Sequence, residues 1–134
     1  MIPSNSSIVL TNLEIETQPS KGHKMHIQED VVRGTCDDIE AMRQVIYKIL
    51  NTERYQHIIY SWNYGMETLD LFGRPVGFVC PELKRRIEEA LLQDDRITSV
   101  DGFEFDISKK KIVSVTFTVH TIFGDVDSEK VVNI

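Results

Sequence analysis

Four acidic side chains stand where a loop or a helix end could present them to a substrate. A glycosidase needs one carboxyl group with a raised pKa and a second about 5 to 10 Å away across a cleft. Glu53, Asp70, Asp94 and Asp95 lie at such positions, although the adjacent pair Asp94-Asp95 is more simply explained as a solvated helix end that leads into the next strand. Nothing in their spacing specifies a cleft, so the sequence favours a protein without catalytic residues.

Histidine and cysteine residues offer the other potential chemistry. His23 and His26 lie close to Cys36 in sequence, but a metal site there needs a further ligand that the spacing does not specify. A helix N-terminus lowers the pKa of a thiol, whereas the neighbouring carboxylates of Asp37 and Asp38 raise it. We therefore predict no metal site, no cofactor and no nucleophilic cysteine.

Composition narrows the function classes further. The 134 residues fit one domain, and a net charge of −6 argues against binding to duplex nucleic acid. The cationic runs 84–86 and 109–111 are expected on a helix surface and in a hairpin turn. No apolar run approaches the roughly 20 residues that a bilayer requires, and residues 1–5 do not resemble a signal peptide. We expect a protein made in a cytoplasm, with its cysteines reduced and without membrane contact.

The first half of the chain predicts an arm, a hairpin and a helix. Residues 1–23 are rich in loop formers and predict an N-terminal arm, which precedes a domain formed by residues 24–134. Short apolar pairs within 25–32 predict a hairpin or two edge strands. Asp37 is a good N-cap with Glu40 three residues later, and helically spaced apolar residues follow as far as Asn51.

The second half predicts a less regular segment, a helix and a sheet. Residues 52–75 form a connection in which 57–60 could be a short strand, and a second helix is expected to start at or just before Pro81. Phe103 and Phe105 alternate with polar residues, and apolar side chains at alternate positions of 113–121 predict a long strand. Turns at 108–111 and Gly124-Asp125 complete an antiparallel meander. The fold class is α+β, with two helices packed on an antiparallel sheet.

Two sequence stretches resemble a known family. A helix running into Glu53-Arg54, followed by an aromatic segment that ends in Tyr64-Gly65, resembles the contractile phage-tail baseplate wedge proteins of the PBSX-like prophage group. Those are distant relatives of the wedge subunits named "lysozyme-like". A second family mark, Glu-Pro-Arg, corresponds here to Asp95 and Arg96 without the proline. The similarity covers roughly residues 36–132.

The resemblance implies a structural part of a contractile tail. It implies a baseplate component in the virion, assembled in the bacterial host cytoplasm, which joins other wedge subunits to sheath and tube proteins and could form homo-oligomers in isolation. The alternatives are a peptidoglycan hydrolase, using Glu53 with Asp70 or Asp95, and a free adaptor domain of unrelated origin.

Contact residues are expected around the family marks. Arginine binds carboxylates in a bidentate manner, so Arg54 and Arg96 either seal an interface or pair with acids inside the domain. The same two possibilities, interface or core, apply to the loop aromatics and to the acids beside the arginines. The exposed face of the long strand 113–121 could likewise accept a neighbour's strand by edge addition. The interface candidates are Glu53, Arg54, Tyr60, Trp62, Tyr64, Asp95 and Arg96.

Overall fold

Helices and strands of the predicted types follow one another along the chain. A computed structural model describes residues 21–134. Its helices and strands are β1 (Gly22–His26), β2 (Val31–Cys36), α1 (Asp38–Asn51), α2 (Val76–Leu91), β3 (Ile97–Asp106), β4 (Ile112–Thr121) and β5 (Gly124–Asn133). This architecture confirms the α+β class. Most of the predicted N-terminal arm, residues 1–20, lies outside the described residues, and β1 begins at Gly22.

Helix α1 starts and ends where the sequence predicts. Asp37 is its N-cap, and the side chain accepts a hydrogen bond of 2.8 Å from the backbone N–H of Asp38. Glu40 does not complete a capping box, because its carboxylate lies 2.6 Å from Nζ of Lys24 on β1. The apolar stripe is buried at Ala41, Met42, Ile46, Ile49 and Leu50, so amphipathic periodicity fixes the face that packs on the core.

Helix α2 starts five residues before the predicted position. Pro75 is its N-cap, and Pro81 lies inside the helix instead of in its first turn. Proline removes one helical hydrogen bond to the residue four positions earlier. That residue is Gly77, which is exposed and close to the helix start. The earlier start is stabilised by the side chain of Val79, which is fully buried. The 57–60 strand was also predicted wrongly, since these residues form turns.

The predicted meander is confirmed, with one correction to its connections. Strands β3, β4 and β5 form an antiparallel sheet in that order, and Thr121 pairs with Gly124 across a two-residue turn at 122–123. The turn therefore precedes the predicted Gly124-Asp125. Strand β4 is paired on both sides, so the expectation that it accepts an added strand is wrong.

The core lies between the inner face of this sheet and the two helices. Four alternate residues of β4 are buried, in agreement with the predicted period of two: Val113, Val115, Phe117 and Val119. They pack with the α1 stripe and with Leu83, Ile87 and Leu91 of α2. In the described part of the chain, no helix has the length and apolar character to cross a membrane.

The hairpin of β1 and β2 forms a separate two-stranded sheet beside α1. The side-chain amide of Gln44 fastens it, because Oε1 accepts from Met25 N–H at 2.9 Å and Nε2 donates to His23 C=O at 2.6 Å. Apart from Cys36, every β2 residue is exposed. A two-stranded sheet is marginal by itself, so this hairpin depends on its attachment to α1.

Candidate protein interface

The connection between the helices contains a closed loop. Glu53 and Met66 form a β-bridge at its base, Met66 N–H donates to Thr52 C=O at 3.0 Å, and Arg54 N–H donates to Met66 C=O at 3.4 Å. We call residues 53–66 the closed loop. Compact surface loops with adjoining ends are frequently functional, and here a pinned base holds the loop in position.

Arg54 fastens the base of the closed loop to α2. Its Nε and Nη2 lie 3.3 and 3.1 Å from the carbonyl oxygen of Gly65, and Nη1 lies 3.1 Å from Glu89 Oε1. The side chain is only 11% exposed. The guanidinium therefore binds within the domain, which is one of the two alternatives that the sequence left open, and any contact of Arg54 with a partner stays a prediction.

Gly65 is required by the closure itself. Its φ is +87°, and a Cβ placed there would lie 2.5 Å from the Thr52 carbonyl oxygen. Only glycine tolerates both the left-handed backbone and this approach. Glu53-Arg54 and Tyr64-Gly65, the pairs that carried the family resemblance, thus come from opposite ends of one loop and meet at its base.

Glu53 organises the chain that follows the closed loop. Its carboxylate accepts hydrogen bonds from Thr68 N–H at 2.8 Å, Thr68 Oγ1 at 2.7 Å and Leu69 N–H at 3.2 Å. These donors stand at the start of the 3₁₀ turn Leu69–Leu71. Charge-assisted bonds of this kind fix a turn, so Glu53 has a structural role in addition to any contact it makes.

Asp70 also lacks the properties of a catalytic acid. Its oxygens lie 2.5 and 2.8 Å from the guanidinium of Arg86, and this pairing holds the pKa of Asp70 below its usual range. Hydrolysis needs an acid with a raised pKa. Glu53 and Asp70 are both engaged in other bonds, so the geometry gives no support to a hydrolase that pairs these two carboxylates. Within residues 21–134, no three His, Cys, Asp or Glu side chains are placed to hold a metal ion.

The aromatic and aliphatic side chains of the closed loop differ in exposure, from the half-buried Tyr64 to the exposed Trp62. Tyr64 packs against the core, burial raises its pKa, and Tyr60 stacks on it with ring centroids 4.6 Å apart. Trp62 is 82% exposed, while Ile58 and Ile59 are almost entirely exposed. Large apolar side chains so exposed are characteristic of contact surfaces, and they are what the closed loop presents to solvent.

Asp95 and Arg96 lie in the turn that precedes β3. Arg96 contacts Asp94 through Nε at 2.9 Å and Nη2 at 2.6 Å, which lowers the pKa of that carboxyl, whereas Asp95 is exposed. Arg96 and Tyr64 line one groove beside the closed loop. The structure therefore brings these two candidates together, whereas Glu53 is not part of this groove and is bonded to the chain that follows the closed loop.

A second surface, which the sequence analysis missed, follows the edge strand β5. Along its first half, β5 and α1 line a groove that includes Tyr47 and Asn51. Along its second half, Thr68, Leu69 and Phe72 stand beside residues 130–133. The sequence contained one indication of this surface, since Leu69 and Phe72 are large apolar residues inside a loop.

Comparison with known proteins identifies the relatives of this chain. Residues 14–124 match the family model described as contractile injection system sheath initiator. The chain is 39% identical over 128 residues, covering 90% of each sequence, to the phage-like element PBSX protein XkdS of Bacillus subtilis strain 168. The expected relation to phage-tail proteins of the PBSX type is thereby confirmed, whereas the assignment to the baseplate wedge stays a prediction.

Proposed function

Because the chain belongs to the contractile injection system sheath initiator family, we propose that it is the structural element on which a contractile tail sheath begins to assemble. In this role it acts by protein–protein contact. It joins baseplate wedge subunits at one side to sheath and tube proteins at the other, as a component of the tail particle.

The observation that carries the proposal is the unpaired edge of β5. Among the described residues β5 pairs only with β4, which leaves a row of backbone groups facing outward. An extended segment can add to such an edge by main-chain hydrogen bonds. Helix α1 flanks the first half of β5 and the turn at 69–71 flanks its second half, so a strand added along the edge would lie next to both.

The closed loop supplies a second contact of a different kind. Trp62, Ile58 and Ile59 project into solvent from a base that Arg54 and Gly65 hold in place. Exposed aromatic anchors on a rigid support lose little entropy on binding. We propose that these side chains contact a neighbouring tail protein, either a sheath subunit or a wedge subunit.

Seeded polymerisation of the tail sheath protein encoded with this chain tests the proposal. Successive backbone N–H groups of a strand point to opposite sides. Of the two variants Ser128→Pro and Glu129→Pro, one therefore removes a hydrogen bond to β4, and the other removes an N–H donor that points outward from the sheet edge. The variant that keeps cooperative unfolding identifies the outward position. We expect wild-type protein to shorten the lag of sheath assembly, measured by light scattering and electron microscopy, and that folded variant to lose the effect.

Thr116→Ser on the central strand is the control and should seed like wild type. A folded proline variant that seeds sheath assembly as well as wild type would refute the use of the β5 edge. Failure of the wild-type protein to shorten the lag would refute the sheath-initiating role itself.

A further inference from the structure

The inner face of the edge strand β5 carries one charged residue, Lys130. Lys130 stands opposite Val115 of β4, whose side chain is fully buried, so Lys130 belongs to the row that faces the core. Val126 and Val132 of the same row are buried. A cation at this position loses part of its hydration, and its burial lowers the pKa of Lys130.

No acid of the described chain satisfies this ammonium group. Among residues 21–134, no carboxylate lies within salt-bridge distance of Nζ of Lys130 and no hydrogen bond engages it. Glu53 is the acid that acts on it electrostatically. The carboxylate of Glu53, however, already accepts three hydrogen bonds from Thr68 and Leu69.

The surroundings of Lys130 form an apolar groove that is open to solvent. Leu69, Phe72 and Val131 line it and are 65%, 75% and 51% exposed. Thr68 and Asn133 are its polar members. A half-buried cation among apolar walls is complementary to an apolar segment that carries one negative charge, since a desolvated charge gains most from an opposite charge.

We propose that this groove binds an extended apolar segment of a tail partner through a carboxylate that pairs with Lys130. The proposal rests on the sheath-initiating role and specifies the chemistry of the partner at the β5 edge. Leu69 and Phe72 contact the apolar side chains of the segment. Lys130 selects, among segments that could add to β5, those that place an acid at this position.

The competing explanation is that Lys130 only guards the edge. Inward-pointing charges, lysine above all, prevent unwanted strand addition at sheet edges. A guard would weaken binding of every segment alike. A selective lysine would favour acidic segments over neutral ones of the same shape.

Two capped pentapeptides distinguish the explanations on the complete chain. Acetyl-Thr-Val-Glu-Val-Thr-amide and its glutamine twin differ only in charge, and NMR titration of the β5 amides measures both affinities. We expect the glutamate peptide to bind wild-type protein about tenfold more tightly, as one charge-assisted hydrogen bond provides. Lys130→Met should abolish the preference without lowering the melting temperature, because methionine fills the site without an unpaired charge.

Lys110→Met, in the exposed turn between β3 and β4, is the matched control and should keep the tenfold preference. Equal affinities of wild-type protein for the two peptides would overturn the proposal, as would a preference that survives Lys130→Met. Binding of both peptides to Lys130→Met and of neither to wild type would establish the guard instead. If the preference is absent while the outward proline variant still loses seeding, only the lysine pairing fails and the sheath-initiating role stands.

Discussion

The closed loop and the β5 edge present opposite kinds of surface. In the closed loop the polar groups of Glu53 and Arg54 are bonded within the domain, and apolar side chains at the tip are left exposed. Along β5 the backbone edge is unpaired on one side and the inner face holds a partly buried lysine. The loop thus offers side chains on a fixed support, whereas the edge offers hydrogen bonds that any extended chain can use.

Gly65→Ala tests the closed loop most severely. The new Cβ would clash with the Thr52 carbonyl at a positive φ, so we expect the free energy of unfolding to fall by about 3 kcal/mol in denaturant titrations. Gly73→Ala has a similar φ of +80° but open space around it, and should cost about 1 kcal/mol. Equal losses in the two variants would show that the contact with Thr52 contributes nothing.

Arg54→Met separates a structural from an interfacial arginine. Loss of the bonds to Gly65 C=O and Glu89 from a nearly buried site should lower the free energy of unfolding by about 2 kcal/mol. Arg33→Met removes an exposed pair with Glu29 and should change it by less than about 0.5 kcal/mol. If the Arg54→Met protein were as stable as wild type but bound the sheath protein less tightly, Arg54 would have an interfacial role and not a structural one.

Trp62→Ser probes the exposed tip without touching the base. Because the indole is largely in solvent, the free energy of unfolding should change by less than about 0.5 kcal/mol. Affinity for the tail partner, measured by surface plasmon resonance, should fall about tenfold. Ile107→Ser removes an exposed apolar side chain at the end of β3 and should leave the affinity unchanged. Undiminished binding by Trp62→Ser would leave the β5 edge as the contact surface.

The smallest effect concerns the end of the sheet near the β4–β5 turn. His120 Nδ1 lies 2.7 Å from Asp125 and Nε2 lies 2.9 Å from Asp101, and these carboxylates raise the pKa of His120 above its usual 6.5. Charge on His120 is thus favoured in the folded state. Its contribution is complete below pH 6.5 and is lost as the pH rises through the raised pKa.

Stability measured by urea titration should therefore decline over that range in wild-type protein, and less steeply in His120→Gln and Asp125→Asn. The three proteins would show the same dependence on pH if the contacts with Asp101 and Asp125 were irrelevant to stability. Any effect is confined to the sheet end and should leave the closed loop unchanged.

Local patterns predicted the regular elements well. The Asp37 cap and the apolar stripe located α1, and strict alternation located β4 and its buried face. The predicted start of α2 was wrong because it relied on the preference of proline for the first helical turn and did not take burial of Val79 into account. The preference of proline for the first helical turn is an average over many proteins, whereas burial of the Val79 side chain stabilises this particular helix.

The site was predicted only in part, because its determinants are contacts between distant residues. Glu53, Arg54 and Gly65 were noticed as family marks, but periodicity cannot reveal that Arg54 reaches Gly65 or that Glu53 binds Thr68. The β5 edge was missed because strand order decides which strand is outermost. The alternating pattern of 113–121 identified a strand but not its place in the sheet.

The sequential order of β3, β4 and β5 also has a kinetic consequence. Each strand pairs with its neighbour in sequence across a short connection, so most pairings have low sequence separation and cost little loop-closure entropy. Such a sheet is expected to fold quickly and without help from a partner. In an assembling tail, the β5 edge would then be formed before a partner binds. The conformational entropy lost on binding would be mainly that of the segment that adds to the edge.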